Sequence, residues 1–290
     1  MTAAGSLAVS GADTVAQAVT ALFVPGDRPE RFAKAAAAGA GVVIIDLEDA
    51  VAPAAKSAAL TATLEAVAPD GGGARVRALV RVNPQGSRQY DADITMLLSA
   101  ARTPGSGLLG IMVPKAEDAG ALRQLRADMP NHLALVPLIE SALGVVNALK
   151  LARVPGVTRL AFGAIDFALD IDAEGGDRFL DHARSELVLA SRAAGIAAPL
   201  DSPSTDIKDA GKVADSARLA RNFGFGGKLC IHPAQLATVH GAFAPTQVDV
   251  EWAQSVIGAE GGAAQVDGQM IDRPVTERAK RILQRAGKEQ

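Results

Sequence analysis

Short apolar runs recur along the chain, each followed by an Ala/Leu-rich stretch with helical spacing. The runs are Ala21–Pro25, Val42–Leu47, Ala78–Val82, Leu108–Val113, Ala134–Ile139, Arg159–Gly163, Pro199–Ser202 and Lys228–Ile231. They do not alternate apolar with polar, which marks strands buried on both faces of a parallel sheet. The spacing predicts helices over Pro29–Ala38, Ala54–Ala68, Tyr90–Ala101, Asp118–Ala127, Ala142–Ala152, Arg178–Ala194, Lys208–Phe223 and Ala234–His240. Eight strand–helix units without a change of style predict an α/β fold, a closed (β/α)8 TIM barrel over residues 21–245.

Local signals set some boundaries. Pro29 suits a first helical turn, where its missing N–H costs nothing. Gly39 suits a left-handed C-cap. The seventh strand is interrupted early by Asp201-Ser202-Pro203. Residues 246–290 read as a C-terminal helix and lid: a helix over Val248–Gly258, a linker over Ala259–Gln265, and a helical Pro274–Arg285. This tail is too short for a core of its own and is expected to pack on the barrel mouth or a neighbouring subunit. Residues 1–20 read as a flexible N-terminus, poorly ordered over Met1–Gly11.

Composition narrows the function classes. At 290 residues and 49% apolar, one large core is within reach. A net charge of −3 with scattered Lys and Arg gives no footprint for nucleic acid or an anionic membrane. One cysteine, Cys230, excludes a disulfide framework and a Cys-based zinc site; inside a strand it reads as an inert small hydrophobe. The N-terminus lacks the apolar core of a signal peptide, and the longest apolar run, Ala35–Ile45, is broken by Gly39 and Gly41. A cytoplasmic location is expected.

Reactive residues gather where a barrel keeps its chemistry, after the C-terminal ends of the strands. In order these are Asp27 and Arg28; Asp46, Glu48 and Asp49; Arg81 and Asn83; Lys115; Glu140; Asp166; Asp201; and His232. Glu140 and Asp166 close adjacent strands, about 4.8 Å apart, so both carboxylates can reach one hard cation. Two carboxylates with waters is how proteins commonly hold Mg²⁺. Each alone reads equally as a helix N-cap. Arg81 can bind a carboxylate or a developing oxyanion, or salt-bridge to Asp46 or Glu48. Asp46, Glu48, Asp49 and Lys115 are expected to surround the site and offset one another's charge. Gly26 with Phe23 and Arg28 offers a weak phosphate signal at a helix N-terminus. His232 reads as a ligand contact or a hydrogen-bonded structural histidine; His132, His182 and His240 read as structural. No nucleophile elbow, Walker loop or dinucleotide fingerprint is present.

These residues sit in stretches that resemble the citrate lyase β-subunit-like proteins, which include malyl-CoA and citramalyl-CoA lyases. The stretches are LFVPGDRPERFAKA (Leu22–Ala35), VVIIDLEDAV (Val42–Val51), VRVN (Val80–Asn83), MVPKAE (Met112–Glu117), PLIESALGV (Pro137–Val145), FGAIDFALDI (Phe162–Ile171), GFGGKLCIHPAQL (Gly224–Leu236), FAPTQ (Phe243–Gln247) and GQMIDRPV (Gly268–Val275). The resemblance implies a TIM barrel with a C-terminal lid, assembled as homotrimers or hexamers. It implies Mg²⁺ on Glu140 and Asp166, and Arg81 on the substrate carboxylate and oxyanion. It makes Asp272 a lid acid reaching a neighbouring subunit's site. Phe23, Arg28, Arg31, Ile231 and His232 would contact the CoA end of the ligand. Many members read Gly-Ala-Glu-Asp where this chain has Gly163-Ala164-Ile165-Asp166, so the metal acid is kept while the resemblance leaves pocket polarity, and with it substrate choice, open.

The implied reaction is Mg²⁺-dependent cleavage or formation of a 3-hydroxyacyl-CoA, such as malyl-, citramalyl- or citryl-CoA, with an acyl-CoA and a 2-oxo acid as the other side. Three alternatives stay open: a citryl-carrier lyase subunit of a citrate lyase complex, a malyl-CoA thioesterase, and a non-catalytic 2-oxo-acid binding subunit.

Overall fold

The computed structural model describes residues 9–69, 76–175, 177–259, 265–266 and 269–287. The chain divides after Ala242 into two compact units.

In the first unit, β1 (Thr20–Pro25), β2 (Val42–Asp46), β3 (Ala78–Arg81), β4 (Leu108–Val113), β5 (Ala134–Ile139), β6 (Arg159–Phe162), β7 (Ala197–Asp201) and β8 (Gly227–Cys230) pair in sequence order. Every pairing is parallel, and β8 closes onto β1 through Thr20↔Lys228. The expected (β/α)8 TIM barrel is the fold.

The two-residue pleat then decides what faces the lumen. Ala21, Ile44, Leu79, Met112, Val136, Leu138, Ala161, Leu200 and Leu229 fill the interior. Counting two residues on from Ile44, Leu79 and Leu138 reaches Asp46, Arg81 and Glu140, so these three charged side chains point into the lumen at its C-terminal mouth. The intervening residues, Ile45, Val80 and Ile139, face outward and are fully buried beneath the helices.

The helices are α1 (Gly11–Gln17), α2 (Phe32–Ala36), α3 (Lys56–Val67), α4 (Tyr90–Ala101), α5 (Ala119–Asp128), α6 (Ala142–Val146), α7 (Ala148–Ala152), α8 (Ala164–Asp170), α9 (Leu180–Ala194), α10 (Ala210–Phe223), α11 (Leu236–Phe243), α12 (Gln247–Gly258) and α13 (Arg273–Arg285). The expected helix over residues 142–152 is two short helices meeting at Asn147. Helix α8, unforeseen in the sequence, lifts Asp166 into a first helical turn above β6.

The expectation of flexibility over residues 1–20 is corrected for the part described. Ser10 caps α1 by accepting the Asp13 N–H, and Val15 is fully buried in the barrel core. Gly11 is required here, because a Cβ would lie 2.2 Å from the Leu109 carbonyl oxygen. Arg159 fastens the helix from inside: its guanidinium donates to the carbonyls of Val15, Ala18 and Ala198 at 2.5–3.0 Å. Burial lowers its pKa to about 9. Helix α1 packs against β4, β5 and β7 and plugs the end of the barrel opposite the mouth.

The second unit corrects the expectation of a tail without a core. Val250, Ala253 and Val256 of α12 pack against Ala279, Ile282 and Leu283 of α13. Both sets recur at helical spacing, so each helix buries one apolar stripe against the other. Thr246 and Asp249 form a capping box on α12, and Arg278 lies 4.9 Å from the Trp252 ring centroid. Residues 265–266 and 269–270 form an antiparallel pair. Residues 260–264 of the expected linker lie outside the described residues. No described helix is long and apolar enough to cross a membrane.

Candidate active site

Asp46 and Arg81 are register partners on neighbouring strands, and they lock together at the mouth. Arg81 Nε and Nη2 donate to the two oxygens of Asp46 at 2.7 and 2.6 Å. Those oxygens also accept the backbone N–H groups of Glu48 and Ala50, which curls the β2–α3 loop around the carboxylate. Arg81 Nη1 pairs with Glu48 at 2.9 Å and lies 3.7 Å from Asp49. Phe23 of β1 covers the guanidinium face at 4.9 Å. The salt-bridge reading of Arg81 therefore holds, and the same side chain still lines the cavity.

Lys115, after β4, adopts a left-handed backbone with φ of 48°, uncommon for a residue with a side chain. That turn aims its N–H at Glu140 Oε1 at 2.7 Å while its ammonium reaches Glu48 at 2.7 Å. Burial pushes Glu48 above its ordinary value, with Arg81 and Lys115 opposing. Glu140 is pushed further, to about 8, first by burial and then by repulsion from Glu48.

Glu140 and Asp166 line one cavity of about 410 Å³, together with Asp46, Asp49 and Arg81. Asp166 is half-buried, and its carboxylate forms no hydrogen bond or ion pair with another described residue. The N-cap reading fails for both: Ser141 caps α6, and α8 starts without a side-chain cap. A buried carboxylate resisting ionisation beside an unpaired one suits a hard divalent cation, whose charge would offset both. Among the described residues no third His, Cys, Asp or Glu joins them to form a metal cluster. The pair therefore offers the small protein share of ligands typical of Mg²⁺, with positions left for water and substrate oxygens.

The remaining expected contacts divide. Phe23 and Ile231 line the cavity. Arg28 and Arg31 are exposed, stand outside that lining, and lie 3.9 Å from their chain neighbours Asp27 and Glu30. His232 serves the chain: its Nδ1 accepts the Ala234 N–H at the head of a short 3-10 turn. His240 is structural, 3.0 Å from Thr20 Oγ1. Asp272 belongs to the second unit, where it is exposed and caps α13 by accepting the Val275 N–H at 3.1 Å.

Sequence reasoning missed several residues. Leu138 and Leu229 line the same cavity, and the pleat parity that points Glu140 inward would have found Leu138. Ser202 Oγ accepts the Ala164 N–H at 3.0 Å and so steadies the start of α8. Gln235 accepts from the Ile231 and His232 N–H groups and donates to the Ser204 and Asp206 carbonyls, tying the loops after β7 and β8 together.

Known proteins share this framework. The "Citrate lyase subunit beta-like protein" of Mycobacterium tuberculosis is 38% identical over 277 residues, 92% of this chain and 94% of that one. The "(3S)-malyl-CoA thioesterase" of Cereibacter sphaeroides is 32% identical over 263 residues, covering 87% and 88% of the two chains. The crystal structure of CitE from Mycobacterium tuberculosis, in complex with magnesium, acetoacetate and coenzyme A, superposes with a TM-score of 0.79 at 36% identity, covering 92% of this chain and 97% of that one. The HpcH/HpaI aldolase/citrate lyase family model matches residues 19–233, from the first barrel strand through the turn after the last. With the barrel, its polar mouth and this match in agreement, the chain belongs to the HpcH/HpaI aldolase/citrate lyase family.

Proposed function

We propose that the chain is a Mg²⁺-dependent carbon–carbon lyase that cleaves or forms a 3-hydroxyacyl-CoA, with a 2-oxo acid and an acyl-CoA as the other side of the reaction. The observation that carries this reading is the pair Glu140 and Asp166, facing one cavity whose other polar wall is Arg81. The structure of CitE from Mycobacterium tuberculosis, which shares this fold, holds magnesium, acetoacetate and coenzyme A together.

Glu140 and Asp166 would hold the ion, which when bound acts as a Lewis acid toward the substrate hydroxyl and carboxylate oxygens. Glu140 is held in place by the Lys115 N–H, and Asp166 by the first turn of α8. Arg81, made rigid by Asp46, points its remaining N–H groups at charge developing on oxygen, a role that needs no rearrangement during reaction. On cleavage, the substrate hydroxyl gives its proton to water, and the bond between the hydroxyl carbon and the carbon next to the thioester breaks. Its electron pair passes to the thioester as an enolate, and the hydroxyl carbon becomes the carbonyl of the 2-oxo acid. The enolate carbon then takes a proton, the role the family resemblance gives to Asp272. The same resemblance implies a homotrimeric or hexameric assembly.

The test is a panel of malyl-, methylmalyl-, citramalyl- and citryl-CoA incubated with Mg²⁺ and followed by mass spectrometry. The lyase reading expects an acyl-CoA and a 2-oxo acid in equal amounts. Free CoA without acyl-CoA would show a thioesterase instead, as one relative is named. Turnover only with a carrier protein would show a lyase-complex subunit, and no turnover would leave a binding subunit.

A further inference from the structure

Beyond its acids, its one guanidinium and the Ser202 hydroxyl, which already accepts the Ala164 N–H, the large side chains of the cavity wall are Phe23, Leu138, Ile165, Leu229 and Ile231. Two of these project into open space: Ile165 is 56% exposed and Ile231 42%. Exposure alone is ordinary for single apolar side chains, but these two stand on the wall of a concave site, where an apolar group of a ligand would cover them. The charged lining is Asp46, Asp49, Glu140 and Asp166 against Arg81 alone among the described residues. Arg81 is held by Asp46, Glu48 and Asp49, and the N–H groups it has left are those given above to the oxygen at the reacting carbon, which leaves none for a second carboxylate. Lys115 is outside the lining and gives its ammonium to Glu48.

From this we infer that the site selects a 2-oxo acid with one carboxylate and a short apolar substituent, and rejects one carrying a second carboxylate. The inference rests on the reading of the site as one for Mg²⁺ and a 2-oxo acid. The first carboxylate and the oxo oxygen of the ligand have the cation position beside Glu140 and Asp166. The substituent then meets Ile165 and the other apolar walls. A methyl or ethyl group buries apolar surface there. A second carboxylate would lose water without gaining a cationic partner, and it would face Asp49. Ile165 is thus a specificity residue: it touches the substituent and takes no part in the bond change.

The experiment is isothermal titration of the full chain, saturated with Mg²⁺, with pyruvate, 2-oxobutanoate and oxaloacetate, repeated on Ile165→Lys. 2-Oxobutanoate and oxaloacetate differ only by a terminal methyl against a carboxylate. The wild type is expected to bind pyruvate or 2-oxobutanoate at least about tenfold more tightly than oxaloacetate, a discrimination typical of a small hydrophobic pocket. Ile165→Lys, at an exposed position that leaves the fold undisturbed, is expected to erase or invert the preference. Oxaloacetate binding the wild type as tightly as 2-oxobutanoate would overturn this inference alone. An unchanged preference in Ile165→Lys would overturn the role of Ile165. Failure of all three acids to bind with Mg²⁺ present would overturn the underlying reading and the inference with it.

Discussion

Gly163 and Glu140 lie so close that a Cβ on Gly163 would come within 2.6 Å of Glu140 Oε2. The end of β6 thus leaves room for the carboxylate only because it carries no side chain. Gly163→Ala is expected to push the carboxylate from its place while leaving the barrel closed. Affinity for Mg²⁺ should fall by about 10–100-fold, the range seen when a ligand's supporting contact is altered. Titration calorimetry checks this, with circular dichroism showing the fold unchanged. Wild-type affinity in the variant would remove Glu140 from the ligand set.

Asp166 has no partner to lose among the described residues, so Asp166→Ala should leave stability nearly unchanged and abolish Mg²⁺-dependent turnover. Thermal unfolding with and without Mg²⁺ separates the two effects. Wild type should be stabilised by the ion and the variant should not. Full activity in the variant would refute the assignment.

The metal-free site should bind its ion in a pH-dependent way. Glu140 is pushed to about 8, so below that pH its carboxyl keeps a proton that a cation must displace. Apparent Mg²⁺ affinity should therefore rise with pH up to about 8, by at most about tenfold per unit for one proton, and level off above it. Calorimetry in buffers of different ionisation enthalpy should show about one proton released near pH 6.5 and about none near pH 9. A flat affinity across that range would mean that Glu140 holds no proton for the ion to displace.

The strand ends were legible because strand and lumen share one rule. A period of two in a strand buried on both faces fixes which polar residue enters the barrel, so Asp46, Arg81 and Glu140 stand where their parity puts them. What escaped the sequence depends on contacts distant in the chain. Ser10 and Asp13 form a local helix start that went unread, but nothing local shows that residues 11–17 are packed, since their anchor is Arg159 on β6. Lys115 is a lysine in a left-handed turn that earns its place through Glu48 and Glu140 from two other strand ends. Helix α8 is only seven residues long, too short for its periodicity to register.

Asp201 shows the same limit and carries a stability prediction. It stands among the polar strand ends, yet it is fully buried on β7, bound to Lys228 at 2.9 Å and Arg184 at 3.4 Å, both also buried. It is absent from the cavity lining. Asp201→Ala would leave two buried cations without their acid, a loss of about 3–5 kcal/mol. Urea unfolding should show that loss, with Mg²⁺ affinity of the remaining folded protein unchanged.

Arg81→Lys should keep a positive charge but lose the two-pronged grip on Asp46 and the stacking on Phe23. A drop of about 10²–10³-fold in kcat is expected, as for removal of an oxyanion donor, with Mg²⁺ affinity nearly intact. A lysine variant with wild-type kcat would mean Arg81 serves only to hold the loop after β2.

On the proposed reading, Glu140 and Asp166 share one divalent ion next to the 2-oxo acid. Crystals grown with Mn²⁺ in place of Mg²⁺ and soaked in pyruvate test it directly, because the manganese announces itself by anomalous scattering. A single peak is expected, bonded to one oxygen each of Glu140 and Asp166, with pyruvate completing the ion's coordination on the Arg81 side. A peak elsewhere, or an ion held by only one of these two carboxylates, would contradict it.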